Sequence, residues 1–335
     1  MNMLVDGEWT TDAYESTDDD GEFDRQETSF RNRVEADPDA EFPAEPGRYH
    51  LYVSYACPWA HRTLLVRALR GLEDAISVDV VDPYRQDDGW EFSPEREGCT
   101  PDSINGFDYL RETYVAADPG FTGRVTVPVL WDKQEETIVN NESAEIIRML
   151  DTAFEEYAND ATLYPKGYRE EIDETIDAIY EPINNGVYRA GFAGTQDAYE
   201  RAVSELFDAL DRWEDVLSEQ RYLCGDALTE ADVCLFTTLV RFDDVYHTHF
   251  KCNRRKIAEY PNLWNYLKEL YQLPGVAETV HMDHITEHYY RSHTGLNPKQ
   301  IVAVGPDHDF DGAHDRDRLA GGPPEKLVAR ASADD

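Results

Sequence analysis

Residues 48–54, RYHLYVS, alternate in the manner of a strand, and only a few positions later Pro58 opens a helical pattern that runs to residue 70. A second strand pattern, ISVDVVDP, follows at once, so the segment reads as a βαβ start. An irregular stretch over 84–123 comes next, punctuated by Gly89, Pro94, Gly98, Pro101, Gly106 and Pro119, and loops of that length usually carry function. Order returns with two short strands, RVTVPVLWD and TIVN, and a helix over 142–154. Beyond Pro165 the pattern is helical, with helices expected at 167–185, 197–218, 229–247, 262–270 and 280–291. Thr229 with Asp232 three residues later forms a near capping box for the third of these. The chain therefore divides into an acidic arm (1–45, with Phe23, Phe30 and Phe42), an α/β domain (46–160), an all-helical domain (161–300) and an irregular tail (301–335). Both acidic ends read as solvated arms, and the first is expected to wrap on the body.

Cys57 occupies the junction between the first strand and the first helix. Proline suits a first helical position because its missing N–H has no partner to lose there, which places Cys57 beside the unsatisfied amides of the following turn. Those amides and the partial positive charge of the helix end favour an anion, and reactive cysteines in such places have pKa values of about 3.5–7.5 rather than about 8.5. The third residue after Cys57 is Ala60, so the motif contains no resolving thiol. A mixed disulfide formed on Cys57 must then be cleared by an external thiol, which points to a small-molecule cosubstrate. Cys99, Cys224, Cys234 and Cys252 read as packing residues or surface thiols.

The chain has 335 residues, with 69 acidic against 31 basic side chains and a formal net charge of -38. Phosphates and anionic membrane surfaces would be repelled over most of that surface, which argues against nucleic-acid and membrane partners. Only seven basic residues are lysine, and the arginine bias with the acidic excess reads as adaptation to molar salt, where the Debye length falls to roughly 3 Å. Disorder is excluded by 41% hydrophobic and 12% aromatic residues. Five irregularly spaced cysteines do not make a disulfide framework and fit a reducing compartment. MNMLVDGEWTTD has neither a basic nor an apolar leader region, so a cytoplasmic, unexported protein is expected.

YVSYACPWAHR, RVTVPVLWD, NNESAEIIRM, NNGVYRAGFA, RFDDVYHTHFKCN and HYYRSH, in this order between residues 47 and 305, resemble the glutathionyl-hydroquinone reductases, the xi class of glutathione transferases. The resemblance implies a thioredoxin-like N-terminal domain, an all-α C-terminal domain and a homodimer. It also implies a cis Val127-Pro128 bond, presenting the Val127 backbone to the cysteinyl part of a γ-glutamyl thiol, where the residues alone leave an ordinary trans edge-strand proline equally open. By the same resemblance Glu142 and Ser143 hold the γ-glutamyl group, Trp90 packs over the thiol, and Arg124, Val125, Thr126 and Val127 supply charge and backbone contacts. Read alone, Glu142 and Ser143 are as well a helix cap and Trp90 a loop anchor. Tyr188, Tyr246 and Tyr289 match family positions beside the sulfur: Tyr188 for proton transfer, the other two for stabilising anionic sulfur or substrate oxygen. The implied reaction is removal of a glutathionyl or γ-glutamylcysteinyl group from an S-conjugated hydroquinone through a Cys57 mixed disulfide, with glutathione or γ-glutamylcysteine as cosubstrate and no tightly bound cofactor.

Two other readings compete. His281, His284 and His288 recur at three and four residues on one expected helix, with His293 and Cys252 as further ligands, and would make a metal site if they converge. The chain would instead be a non-catalytic redox sensor or binding protein if Cys57 is merely glutathionylated or oxidised.

Overall fold

The computed structural model describes residues 2–324 and contains two compact units that interleave along the chain. The first comprises residues 2–16, Arg25–Asn159 and His281–Val302. It opens on a hairpin of β1 (Met3–Val5) and β2 (Glu8–Thr10), turned by Asp6 and Gly7, both at positive φ. This Asp-Gly pair inside VDGEW is a hairpin signal, and it gives the arm the only regular structure it has among its described residues. Leu4 exchanges both backbone hydrogen bonds with Gly123, which lays the hairpin on the body of the unit.

β3 (Tyr49–Val53), α1 (Pro58–Leu69) and β4 (Ser77–Val80) form the expected βαβ start, with β3 and β4 parallel. All five β3 residues are buried, so the alternation in RYHLYVS does not mark a solvent face. The polar alternates are instead satisfied internally: His50 Nδ1 meets Ser77 Oγ at 2.8 Å, and the Tyr52 hydroxyl donates to Asp102 at 2.8 Å. Asp102 also accepts from the N–H groups of Ile104, Asn105 and Phe107, pinning the middle of the long loop.

That loop is not wholly irregular. α2 (Leu110–Ala117) lies within it, its N-terminus held by Glu112, whose carboxylate accepts from the N–H groups of Asp108 and Tyr109. With Tyr109 at the cap position in place of Ser, Thr, Asp or Asn, the usual start signal is missing. β5 (Val129–Asp132), β6 (Thr137–Asn140) and α3 (Ser143–Thr152) complete the unit's main fold. Sheet order is β4-β3-β5-β6, with β5 antiparallel to both its neighbours. Residues 124–127 precede the sheet rather than extending β5. A last helix, Met282–Ser292, joins this unit from the far end of the chain.

The second unit, Thr17–Asp24, Asp160–Val280 and residues 303–324, is helical: α4 (Arg169–Ile179), α5 (Gly186–Gly191), α6 (Gln196–Glu219), α7 (Glu230–Arg241) and α8 (Pro261–Tyr271), with Met282–Ser292 numbered α9. Two helices expected to be continuous widen into π-helical turns, Tyr180–Asn184 and Phe242–Tyr246. Pro182 supplies the cause in the first, because a residue without an N–H cannot hold the α-helical register. The Thr229 box is present: Asp232 accepts from the Thr229 N–H and hydroxyl, and also from Leu223 N–H and the Tyr266 hydroxyl. Burial pushes this carboxyl up to about 6 despite those donors.

The C-terminal segment is not a solvated arm over its described part. Arg316, fully buried, donates to the carbonyls of Leu217, Gln220 and Arg221, which are the orphan acceptors at the end of α6. Arg221 in turn donates to the Gly321 carbonyl and Asp317. Residues 325–335 of the expected tail lie outside the described residues.

Candidate active site

Cys57 is the N-cap of α1, with extended backbone angles (φ -77, ψ 121) and Pro58 in the first turn. Its N–H donates to Ser54 O at 3.1 Å and its carbonyl accepts from His61 N at 2.9 Å, so the turn fixes the backbone while the sulfur makes no cap bond. The half-buried Sγ lies 3.5 Å from the carbonyl oxygen of Val127. The Val127-Pro128 peptide is cis, as the resemblance implied. Three other cysteines are in different surroundings: burial pushes Cys99 up to about 12 and Cys224 up to about 11, and raises Cys252 further still.

Tyr114 fastens the segment that carries Val127. Its hydroxyl donates to Thr126 O at 2.8 Å, accepts from the Thr126 N–H at 3.2 Å and accepts from Asn141 Nδ2 at 3.1 Å. It thereby ties the residue before Val127 to the residue before Glu142, and nothing in the sequence pattern marks it for that task. Glu142 is the N-cap of α3: its carboxylate accepts from Ala144 N–H at 3.3 Å and from the Thr28 hydroxyl, with the buried Ser143 hydroxyl at 3.5 Å. A helix N-terminus favours a carboxylate, and here Glu142 itself occupies the Ala144 amide. Arg124, Thr126 and Asn141 line a cavity of about 320 Å³ together with Thr28 and Ser29 of the arm, and Val125 and Val127 are buried beside it in sequence.

Trp90 is buried in the long loop, stacked on His288 at 5.1 Å with 20° between the rings, and its indole N–H has no hydrogen-bond partner among the described residues. The Arg85 guanidinium lies 5.5 Å from the same indole. α9 seats this loop. His288 Nδ1 meets Pro83 O at 2.7 Å, Ser292 Oγ accepts from Arg85 N–H at 3.0 Å, and His284 Nε2 meets Glu97 O at 2.9 Å. Gly98 is at positive φ, and a Cβ there would sit 2.8 Å from His284 Nε2. His281 stacks on Tyr55 at 3.6 Å. The three histidines thus face three different partners, and among the described residues no group of three His, Cys, Asp or Glu side chains converges to hold a metal ion. Their helical spacing reflects a clamp rather than a metal centre.

Tyr289, on α9, belongs to the same unit as Cys57, buried against His288 and His293 at 5.3 and 5.5 Å; its neighbour Tyr290 is buried as well. Tyr188 and Tyr246 belong to the helical unit. Their rings lie 6.0 Å apart in an aromatic nest with Phe23, Phe192 and Phe250. The two π-helical turns set this pair: one ends just before α5, which carries Tyr188, and the other contains Tyr246.

Residues 56–153 match the model for the glutathione S-transferase N-terminal domain, and residues 196–269 the model for its C-terminal domain. Glutathionyl-hydroquinone reductase YqjG of Escherichia coli is 50% identical over 95% of this chain and 99% of its own. The chain belongs to the xi-class glutathione transferases. The solved xi-class enzyme from Natrialba magadii superposes with a TM-score of 0.91 at 66% identity, covering 96% of this chain and 98% of that one. The glutathione-bound structure of YqjG superposes with a TM-score of 0.86 at 49% identity, covering 94% and 99%. A xi-class member has the thioredoxin-like sheet and the helical domain expected from the motifs, and the order β4-β3-β5-β6 is that sheet. Tyr114 left no signal in the sequence that sets it apart from the other tyrosines.

Proposed function

We propose that this chain is a glutathionyl-hydroquinone reductase: it removes a glutathionyl or γ-glutamylcysteinyl group from S-conjugated hydroquinones. The observation that carries the reading is Cys57 at the N-cap of α1, its sulfur 3.5 Å from the backbone of the cis Val127-Pro128 segment, in a chain half identical to YqjG over nearly its whole length. The Cys57 thiolate attacks the conjugate's sulfur, the carbon–sulfur bond breaks, and the aryl carbon takes a proton supplied through Tyr188. A second thiol attacks the resulting mixed disulfide, leaving as the symmetrical disulfide and restoring Cys57. Hydroquinone gains one hydrogen, and two thiol units are oxidised to one disulfide, so the electrons balance.

In this reading Tyr246 and Tyr289 stabilise anionic sulfur or substrate oxygen, while Trp90, Arg124, Val125, Thr126, Val127, Glu142 and Ser143 hold the thiol. The unpartnered Trp90 N–H supports a ligand acceptor at that wall. The domain limits at about residues 45, 160 and 300, a homodimer and a cytoplasmic location belong to the same proposal. Among the described residues no helix is long and apolar enough to cross a membrane. Intact-mass analysis after exposure to glutathione disulfide is the test: one adduct, mapped to Cys57, is expected, and an adduct on Cys99 or none at all overturns the reading.

We further propose that the protein works in molar salt. With a formal net charge of -38, mutual repulsion opposes the compact state in dilute buffer and is screened within roughly 3 Å at about 1 M salt. The thermal midpoint is expected to climb continuously from dilute buffer to about 2 M KCl; a midpoint indifferent to salt refutes the adaptation.

A further inference from the structure

The π-helical turn that carries Tyr246 also carries two adjacent acids, Asp243 and Asp244, and both are buried. Asp243 fastens a neighbouring segment: its carboxylate accepts from the N–H groups of Ile257 at 2.6 Å and Ala258 at 3.1 Å, where the short 3-10 turn Ile257–Glu259 begins. Like charges held in one buried turn repel, and burial makes each costly to ionise. Burial pushes the Asp244 carboxyl up to about 6; the Asp243 charge adds to the rise, and His308 and Lys256 oppose it.

A cation that faces both acids comes from the C-terminal segment. His308 Nε2 lies 3.3 Å from Asp243 Oδ2 and 4.0 Å from Asp244 Oδ2. The segment is moored on either side of that contact. Gly305, at positive φ, passes so close that a Cβ there would stand 2.7 Å from Asp244 Oδ1. The His308 ring packs on Trp264 of α8 at 5.0 Å, Phe310 stacks on Tyr271 at 4.9 Å, and Gln272 Nε2 donates to the carbonyls of Phe310 and Gly312. The other charged groups around the two acids are Lys256, His247 and Glu259, and burial pulls the His247 pKa down, which makes that ring the poorer cation. Lys268 of α8 donates instead to the Ala313 carbonyl.

The same turn sets Tyr246. Its ring stacks on Phe250 at 5.5 Å with 13° between the planes, and its carbonyl accepts from the Cys252 N–H at 3.0 Å. π-Helical turns are short irregular elements, frequent at functional sites, so side chains packed on this one decide where its residues point.

We propose that His308 is a positioning residue for Tyr246: its imidazolium, wedged between Asp243 and Asp244, holds the turn in the shape that aims the phenol at the substrate. This rests on the role given to Tyr246 above.

Steady-state dethiolation of an S-glutathionyl-hydroquinone at fixed KCl tests it. His308→Gln keeps a nitrogen donor and loses the charge. Its kcat is expected to fall about tenfold at about pH 6.5, where Asp244 is largely ionised, but no more than about twofold at about pH 9, where an imidazole carries no charge in the parent either. KM for glutathione stays as in the parent. Asp244→Asn added to His308→Gln is expected to restore most of the rate, because it removes the repulsion that the imidazolium offsets. On a Tyr246→Phe background, His308→Gln is expected to cost nothing further. Where the single variant does not fold, Asp244→Asn is compared with Asp244→Asn/His308→Gln, and equal kcat is expected. A deficit equal at both pH values, a loss in KM rather than kcat, no rescue by Asp244→Asn, or losses that multiply with Tyr246→Phe overturns the positioning role alone. Tyr246→Phe turning over as fast as the parent overturns the reading of Tyr246 itself.

Discussion

Cys57→Ser is expected to lower reductive dethiolation by on the order of 10³-fold or more while the protein keeps its thermal midpoint. Serine fits the N-cap position and its hydroxyl is a good cap, so the fold loses nothing. What disappears is the sulfur that must form and release a mixed disulfide, the one 3.5 Å from the Val127 carbonyl. Cys99, Cys224 and Cys252 cannot substitute, because burial holds each as a neutral thiol well above neutral pH. Steady-state assay with an S-glutathionyl-hydroquinone reads the result, and turnover surviving within tenfold of the parent moves the nucleophile elsewhere. Tyr188→Phe in the same assay is expected to slow the step by about 10²-fold without preventing the Cys57 adduct, since it removes a proton donor and not the nucleophile. An unchanged rate ends that role for Tyr188.

Much of this was legible because the informative residues act locally. Pro58 beside Cys57, Thr229 with Asp232, and the strand pattern of TIVN each encode their own geometry within a few positions, and the structure has them where they were expected, whereas of RVTVPVLWD only VLWD is strand. What escaped depends on distant partners. Tyr114 matters through Thr126 and Asn141, and Arg316 through the carbonyls ending α6, neither of which any local pattern announces. His281, His284 and His288 kept a metal reading open for the same reason: spacing of three and four places side chains on one face but does not say what stands opposite, and Glu97, Pro83 and Tyr55 are far away in sequence. The Asp6-Gly7 turn was local and readable, and acidic composition obscured it.

Arg48→Met is expected to destabilise the protein by about 3–5 kcal/mol, the range for breaking a buried pair by removing one partner. Arg48 grips Asp132 with two nitrogens, Nε at 2.9 Å and Nη2 at 2.6 Å from Oδ2, and Asp132 is fully buried. The pair joins the start of β3 to the end of β5, where Tyr49 and Asp132 are in register. Asp132 also accepts from the N–H of Gln134, so a carboxylate left without its cation disturbs the β5–β6 turn as well as the sheet. Asp132→Leu combined with Arg48→Met is expected to recover most of the loss, because the cost lies in the stranded charge rather than in the missing attraction. Salt supplies the decisive control. A buried pair is screened far less than surface charges, so the deficit of the single variant should persist from dilute buffer to about 2 M KCl while the midpoints of parent and variant climb together. Chemical denaturation at both salt concentrations measures it; a deficit below about 1 kcal/mol, or one that vanishes in high salt, shows that Asp132 is solvated and that this ion pair does not hold β3 to β5.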